Sequence, residues 1–322
     1  MAKKTKPTPK PKANSGSKSS EKEGISAFLN PAEMHTLGRL LLHSRYTVEG
    51  NLSGAHRSPL KGPSSEFADH KSYGLGDEIK HIDWRVVART DKYFIKRFED
   101  ETNLRVYLAL DRSNSMNYTS GKGPTKFDFA CHFAAALSYV VVKSRDSVGL
   151  YMYSDKVDLR MESANSLQHL NNMFKYIQAS PPMTGGGTGL AETLHEIAGT
   201  VRRRALVIVI SDLLTNEDDV VKALAHCRKM RHDMLVFQVL DPAEIDLSFK
   251  GASELRDLES GEKMQVNARG LAAEYTKVFG EFLEKYQKAC AGMNIDYRMV
   301  RTDQPVETFI RAYLEERRRC SR

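Results

Sequence analysis

The sequence predicts an α/β protein with a doubly wound, mostly parallel sheet and helices on both faces. From Leu104 onward, short apolar or β-branched runs alternate with amphipathic stretches, which is typical of strands joined by crossover helices. Residues 207–210 are apolar at every position, as a central strand buried on both faces requires. The chain has 322 residues, of which 41% are hydrophobic, so it can bury a large core.

Each element of this sheet is predicted from a local period. Runs rich in β-branched and apolar residues predict strands, and apolar residues that recur every three or four positions predict helices. The predicted strands are residues 105–110, 147–153, 205–211, 234–240 and 295–300. The predicted helices are residues 126–143, 167–177, 190–201, 218–230, 271–289 and 306–315.

The chain is predicted to have three regions. Residues 1–25 consist mostly of Lys, Pro, Ser and Thr, contribute much of the net charge of +7 and offer little apolar surface to bury, so we expect a disordered basic tail. Residues 26–100 are expected to form a helix, a loop and a segment that packs on the main domain. The main domain occupies residues 101–322.

Two local elements are predicted in the second region. Residues 32–42 have the period of a helix, with Asn30 as its N-cap and Pro31 in its first position. Residues 93–98 alternate as a half-exposed strand does. We expect this strand to form a hairpin with the strand that begins after Leu104.

The composition predicts a cytoplasmic protein without a membrane span. The longest apolar run, near residues 133–142, is about half of the roughly 20 residues that a bilayer-spanning helix needs. The first residues lack the apolar core of a secretory signal. The four cysteines include no C-x-x-C pair, which indicates reduced thiols rather than a zinc site or a disulfide framework.

Polar side chains follow two of the predicted strands, at the sheet edge where open α/β folds form their sites. Directly after the first strand, Asp111, Ser113 and Ser115 place one carboxylate and two hydroxyls on alternate residues. Asp212 follows the central strand, and Thr188 lies in a glycine-rich loop between them. Mg²⁺ and Mn²⁺ prefer such oxygen ligands, so these five residues are the predicted metal site.

Two alternatives stay open for these loops. Asp and Ser are also favoured as caps and turn residues, so a purely structural role is compatible with the same pattern. Thr184 lies in the same glycine-rich loop and is the alternative ligand to Thr188.

The loops themselves carry no His or Lys that could act as a general base. His81 and His132 are the nearest histidines in sequence, and we interpret both as structural. The sequence has no phosphate-loop pattern, no H-E-x-x-H and no G-x-S-x-G. The pattern therefore favours binding over catalysis.

Two sets of motifs resemble known families. The predicted ligands are similar to the metal-ion-dependent adhesion site of von Willebrand factor A-like domains. Upstream, a second set consists of Tyr73, Gly76, Asp77, Asp83, Trp84 and Arg89. This set resembles the signature of the bacterial domain-of-unknown-function family 58. The resemblance extends over about residues 58–212, and the C-terminal third follows the von Willebrand pattern more loosely.

The resemblance implies a fold, a function and a partner. It implies a von Willebrand factor A-like sheet and a non-enzymatic module whose bound Mg²⁺ or Mn²⁺ is completed by a Glu or Asp of a protein partner. Members of family 58 are encoded beside MoxR-type AAA+ ATPases, which implies a chaperone-like or complex-assembly role with such an ATPase. A metal-dependent phosphoesterase and nucleic-acid binding through the basic tail are the alternative functions.

The signature segment has two interpretations. In the first, it is a structural plate on the sheet, with Asp77, Asp83, Arg85 and Arg89 in an ion network. Trp84 is then packed, and its replacement by alanine costs roughly 3–5 kcal/mol. In the second, the segment is a docking surface for the ATPase.

Overall fold

The computed structural model describes residues 25, 28–37, 65–74, 82–100, 104–121, 123–183, 187–246, 252–256 and 263–320. The predicted basic tail lies outside these residues, apart from Ile25. A first helix, α1, covers residues 31–37. The remaining helices are α2 (Trp84–Thr90), α3 (Lys126–Lys143), α4 (Leu167–Ala179), α5 (Leu190–Thr200), α6 (Glu217–Lys229), α7 (Pro242–Asp246), α8 (Ala268–Gly292) and α9 (Val306–Cys320). The strands are β1 (Ser65–Ser72), β2 (Phe94–Asp100), β3 (Arg105–Asp111), β4 (Ser147–Tyr153), β5 (Val157–Ala164), β6 (Leu206–Ser211), β7 (Asp233–Leu240), β8 (Ala252–Arg256), β9 (Lys263–Asn267) and β10 (Asp296–Arg301).

The main sheet has six strands in the order β10-β7-β6-β3-β4-β5. All neighbouring pairs are parallel except β4 and β5, which are antiparallel. The five predicted strands form the parallel part of this sheet, and the predicted α/β architecture is confirmed. The antiparallel edge strand β5 is an addition that the sequence analysis did not contain.

The core consists of two layers, one on each face of the sheet. Along β3, Val106, Leu108 and Leu110 contact the layer that contains α3, α4 and α9. Tyr107 and Ala109 point into the opposite layer, which contains α5, α6 and α8. Because β6 is buried at every position, the apolar run at residues 207–210 has the burial that a central strand requires.

The course of the chain creates a crevice between β3 and β6. After β3 the chain moves to β4 on one side, and it later returns to β6 on the other side of β3. The carboxyl ends of β3 and β6 therefore flank a topological switch point, where side chains on two diverging loops can meet a ligand.

The N-terminal helix begins with reciprocal capping. The Glu33 backbone N–H donates to Asn30 Oδ1 at 2.8 Å, and the Asn30 backbone N–H donates to Glu33 Oε2 at 2.7 Å. Leu29 and Leu37 are fully buried in the layer that contains α3. The predicted start of this helix is confirmed, while residues 38–42 lie outside the described residues.

The predicted hairpin between residues 93–98 and the strand after Leu104 is wrong. Strand β2 pairs antiparallel with β1 in a separate two-stranded sheet. Both edges of β3 are occupied by the parallel strands β4 and β6, which leaves it no edge for β2.

Two further findings bear on the sequence analysis. None of the helices within the described ranges combines the length and apolar character needed to cross a bilayer. Cys131, Cys227 and Cys290 are buried free thiols.

Candidate functional site

The loop after β3 brings three predicted ligands together. Asp111 is the last residue of β3, and its Oδ1 accepts a hydrogen bond from the Ser113 backbone N–H at 2.8 Å. The hydroxyl oxygens of Ser113 and Ser115 lie 3.0 Å apart. All three side chains are buried although each is polar. Asp111 Oδ1 accepts the hydrogen bond that stabilises the turn, so a structural role and a binding role can be carried by different oxygen atoms of this loop.

Strand β6 contributes the opposite wall of the site. The Ser211 hydroxyl donates to Asp111 Oδ2 at 2.5 Å and accepts from the Leu213 backbone N–H at 3.0 Å. Leu213 has φ +60°, and this left-handed residue turns the chain directly after Asp212. Asp212 is fully buried, and its Oδ1 accepts from the Leu214 backbone N–H at 3.1 Å. Ser211 was missed by the sequence analysis, although its place at the end of a central strand was a usable signal.

Lys126 reaches the site from the start of α3. Its Nζ donates to Asp212 Oδ2 at 2.7 Å and to Glu244 Oε1 at 2.6 Å. The lysine side chain is completely buried. The loops lack a lysine, but the site contains one, because a helix that starts beside the loops supplies it. Sequence reasoning missed both Lys126 and Glu244.

The loop with Thr188 lies at the same edge of the sheet. The Gly189 backbone N–H donates to the Ser154 carbonyl at 2.6 Å, which ties the loop to the end of β4. The Thr188 carbonyl accepts from the Thr215 hydroxyl at 3.4 Å, beside the segment that follows Asp212. The alternative ligand Thr184 lies outside the described residues.

The described signature residues lie at the end of β1 and around α2. Asp83 is nearly buried and caps α2 by accepting from the Arg85 backbone N–H at 3.1 Å. The Tyr73 backbone N–H donates to the Tyr93 carbonyl at 2.9 Å, and the two rings lie 6.5 Å apart. Arg89 is exposed, and its Nε donates to the Arg85 carbonyl at 3.3 Å. Gly76, Asp77 and His81 lie outside the described residues.

Trp84 is not a packed side chain, which corrects the structural interpretation of the signature. It is 60% exposed, and no residue of α2 is buried. Asp83 uses its carboxylate to start α2, so Trp84 takes the first helical position, on a helix that buries none of its residues. The cost of 3–5 kcal/mol expected for removing a packed tryptophan does not apply here.

His132 has a structural contact, as interpreted from the sequence. Its Nε2 lies 3.4 Å from Glu33 Oε1, which joins α3 to α1.

Burial and charge act together on Asp111. Burial, followed by the negative charge of Asp212, raises the pKa of Asp111 from 3.8 to about 7, against the opposing hydrogen bonds from Ser211 and Ser113. Tyr153, paired in register with Asp111, is fully buried, and burial followed by the negative charge of Asp111 raises the pKa of its hydroxyl. A raised carboxyl pKa in such a buried site indicates that the site can accept a further positive group.

The raised pKa predicts that the metal-free protein loses stability as the pH rises toward neutrality. The folded chain holds the Asp111 proton up to about pH 7, whereas the unfolded chain releases it near 3.8. The resulting stabilisation is complete below pH 3.8 and is lost as the pH rises through about 7. Urea denaturation in chelator, at about pH 5 and about pH 8, measures this contribution as the difference in pH dependence between the parent and Asp111→Asn, because His232 changes stability in the opposite direction. Asp111→Asn should remove this part of the difference, and an unchanged difference would contradict the assignment.

The donor set suits a hard divalent cation. Asp111 and Asp212 supply carboxylates, and Ser113 and Ser115 supply hydroxyls, so oxygen is the only ligand type. Among the described residues, no group of three or more His, Cys, Asp or Glu side chains is arranged to hold a metal ion. A metal site here therefore depends on neutral hydroxyl ligands. These side chains do not suit a soft metal ion.

Comparisons with known proteins give relatives without an assigned function. Uncharacterised proteins of Mycobacterium bovis and Mycobacterium tuberculosis are 28% identical to this chain over 235 residues, which are 72% of this chain and 73% of each relative. Two solved structures each align with 67% of this chain and 99% of their own, with a TM-score of 0.44. They are the conserved hypothetical protein BatB of Bacteroides thetaiotaomicron (17% identity) and an aerotolerance-related membrane protein of Bacteroides fragilis (15%).

The family comparison covers both the signature and the candidate site. The family model described as "Protein of unknown function DUF58" matches residues 69–279. This range begins within β1, includes Asp83, Trp84 and Arg89, and continues past Asp212 into α8. Because the match covers more than half of the chain, including both the signature and the candidate site, this protein belongs to the DUF58 family.

Proposed function

We propose that this chain is a non-enzymatic, metal-dependent protein-binding module with a von Willebrand factor A-like sheet. Asp111, Ser113, Ser115, Thr188 and Asp212 would hold one Mg²⁺ or Mn²⁺. The ion would supply a positive charge and an open coordination position for a carboxylate of a partner protein. The strand order, with an antiparallel edge strand on an otherwise parallel sheet, supports the fold assignment.

One observation carries the proposal. Two loops that are about 100 residues apart in sequence meet at the switch point, where the Ser211 hydroxyl donates to Asp111 Oδ2 and the Ser113 and Ser115 hydroxyls lie 3.0 Å apart. The Asp111 carboxylate is buried beside Asp212, and its raised pKa reflects the cost of holding a negative charge there. A divalent cation would relieve it.

Lys126 is not a candidate general base at this site. Burial lowers the pKa of this ammonium, but the charges of Asp212 and Glu244 outweigh burial and raise it. An ammonium with a raised pKa stays protonated at neutral pH and does not accept a proton as a general base.

The partner class that we propose is a MoxR-type AAA+ ATPase, in a chaperone-like or complex-assembly role. This part of the proposal rests on the resemblance to family 58, whose members are encoded beside such ATPases. An ATPase surface that presents a Glu or Asp to the metal would fit the site.

Asp111→Asn is expected to abolish metal-dependent stabilisation. Saturating Mg²⁺ should raise the melting temperature of the parent, because a ligand at one hundred times its dissociation constant stabilises by about 2.7 kcal/mol. The Asn variant keeps the shape of the side chain but lacks its charge, so Mg²⁺ should leave its melting temperature unchanged. Immobilised parent should retain an AAA+ ATPase from native lysate in Mg²⁺ and release it in chelator.

The control is Asp219→Asn, which changes an exposed aspartate of α6. This variant should keep the full response to Mg²⁺. Equal stabilisation of the parent and of Asp111→Asn would refute the metal site. Retention of the ATPase by Asp111→Asn in chelator would refute the metal-dependent mode of binding.

A further inference from the structure

Lys126 places a fixed positive charge inside the candidate site. Its side chain is completely buried, with Nζ 2.7 Å from Asp212 Oδ2 and 2.6 Å from Glu244 Oε1. The same atom lies 5.8 Å from the centroid of the Tyr118 ring, on its face. Two carboxylates and one aromatic face thus surround the ammonium.

The second carboxylate is held as firmly as the first. Glu244 Oε2 accepts from the Asp241 backbone N–H at 2.9 Å, and the Glu244 carbonyl accepts from the Tyr275 hydroxyl at 2.8 Å. Asp241 accepts from both the backbone N–H and the hydroxyl of Ser120. The lysine therefore bridges two fixed anions and is not free to turn toward solvent.

The charges at this edge of the sheet decide how strongly a cation is attracted. Asp111, Asp212 and Glu244, with the buried Asp241 beside Glu244, place four carboxylates against the one ammonium of Lys126. The Asp212 oxygen that faces Lys126 is already neutralised. Among the described residues, Asp111 accepts hydrogen bonds from two uncharged donors, the Ser113 backbone N–H and the Ser211 hydroxyl. In a buried site of low dielectric, a neighbouring ammonium repels a divalent cation strongly.

We propose that Lys126 is a positioning residue that lowers the site's affinity for divalent cations, because its ammonium occupies one carboxylate oxygen of Asp212. The inference rests on the proposed function and deepens it. A site that is weakened in this way binds its ion firmly only when a further carboxylate, such as that of an acidic protein partner, adds negative charge. Metal binding and partner binding are then coupled through one buried lysine.

A merely structural lysine would behave differently. If Lys126 only ties α3 to β6 and α7, its removal and the removal of Glu244 both loosen the same contact, and both change metal affinity in the same direction. If Lys126 sets the charge of the site, the two changes have opposite effects. Lys126→Met removes a positive charge, and Glu244→Gln removes a negative one.

The experiment measures Mn²⁺ binding to full-length, chelator-stripped protein, with free Mn²⁺ followed by electron paramagnetic resonance. Lys126→Met should bind Mn²⁺ at least about tenfold more tightly than the parent. Glu244→Gln should bind it several-fold more weakly. If Lys126→Met does not fold without metal, Lys126→Gln carries the same test, because it removes the charge and keeps a hydrogen-bond donor for Asp212.

The outcomes separate this inference from the proposed function. Suppose that the parent binds Mn²⁺ and Asp111→Asn does not. If Glu244→Gln then has unchanged affinity, or if both variants shift in one direction, the role of Lys126 is overturned and the metal site stands. Parent binding that Asp111→Asn does not change overturns the metal site and the role of Lys126 together. The role of Lys126 is supported if the two variants shift the affinity for Mn²⁺ in opposite directions and if both shifts disappear when Asp111→Asn is combined with each variant.

Discussion

Alanine in place of Gly189 is expected to destabilise the protein by about 3 kcal/mol or more, at or above the upper end for overpacked positions. A Cβ at this position would overlap the Asp155 carbonyl oxygen and lie 2.5 Å from its carbonyl carbon. These are backbone atoms, so no side-chain rotation relieves the clash. The backbone N–H of Gly189 also donates to Ser154 at 2.6 Å, and any shift that makes room weakens this bond.

Gly187 provides the matched control in the same loop. A Cβ there would meet nothing within 4 Å, so Gly187→Ala should change stability by no more than about 0.5 kcal/mol. Chemical denaturation of both variants gives the comparison. Equal stability of the two would mean that the loop carrying Thr188 is not held closely against the end of β4.

Asp212→Ala is expected to cost about 3 kcal/mol, the lower end of the range for removing one partner of a buried ion pair. Lys126 keeps Glu244 as a partner, which limits the loss. It nevertheless loses its fully buried contact at 2.7 Å, and the Leu214 backbone N–H loses its acceptor. The free energy of unfolding in chelator measures the effect without any contribution from metal.

Asp219→Ala serves as the comparison for this variant. Asp219 pairs with Lys222 at 3.1 Å on the exposed side of α6, where an ion pair contributes at most about 1 kcal/mol. A loss below about 1 kcal/mol for Asp212→Ala would indicate that water reaches the Lys126 ammonium and that the pair is not buried in solution.

The parallel strands were predictable because their signal is local. Strand β4 and helix α3 have the bounds that the sequence predicts, since a buried strand and an amphipathic helix each repeat within a few residues. Strand β5 was missed, although Val157, Leu159 and Met161 alternate with more exposed residues. Strand β5 follows β4 after a short connection and is therefore antiparallel to it. The alternation of strands with crossover helices does not predict such a strand.

The chemistry of the site was only partly predictable, for a different reason. Asp111, Ser113 and Ser115 stand close together in sequence, so their pattern is visible. Lys126 meets Asp212 across 86 positions and Glu244 across 118, and no local period encodes such contacts. The exposure of Trp84 was equally hidden, because it depends on what the rest of the chain leaves uncovered.

The meeting of distant loops at the switch point has a kinetic consequence. Asp111 and Ser211 are separated by 100 positions, and both strands must be in register before their hydrogen bond exists. Closing a loop of this length is late in folding, because the entropy is lost before the contact contributes any stabilisation. We therefore expect the site to form after the folding transition state. An ion or partner that binds there should slow unfolding and leave the rate of refolding nearly unchanged.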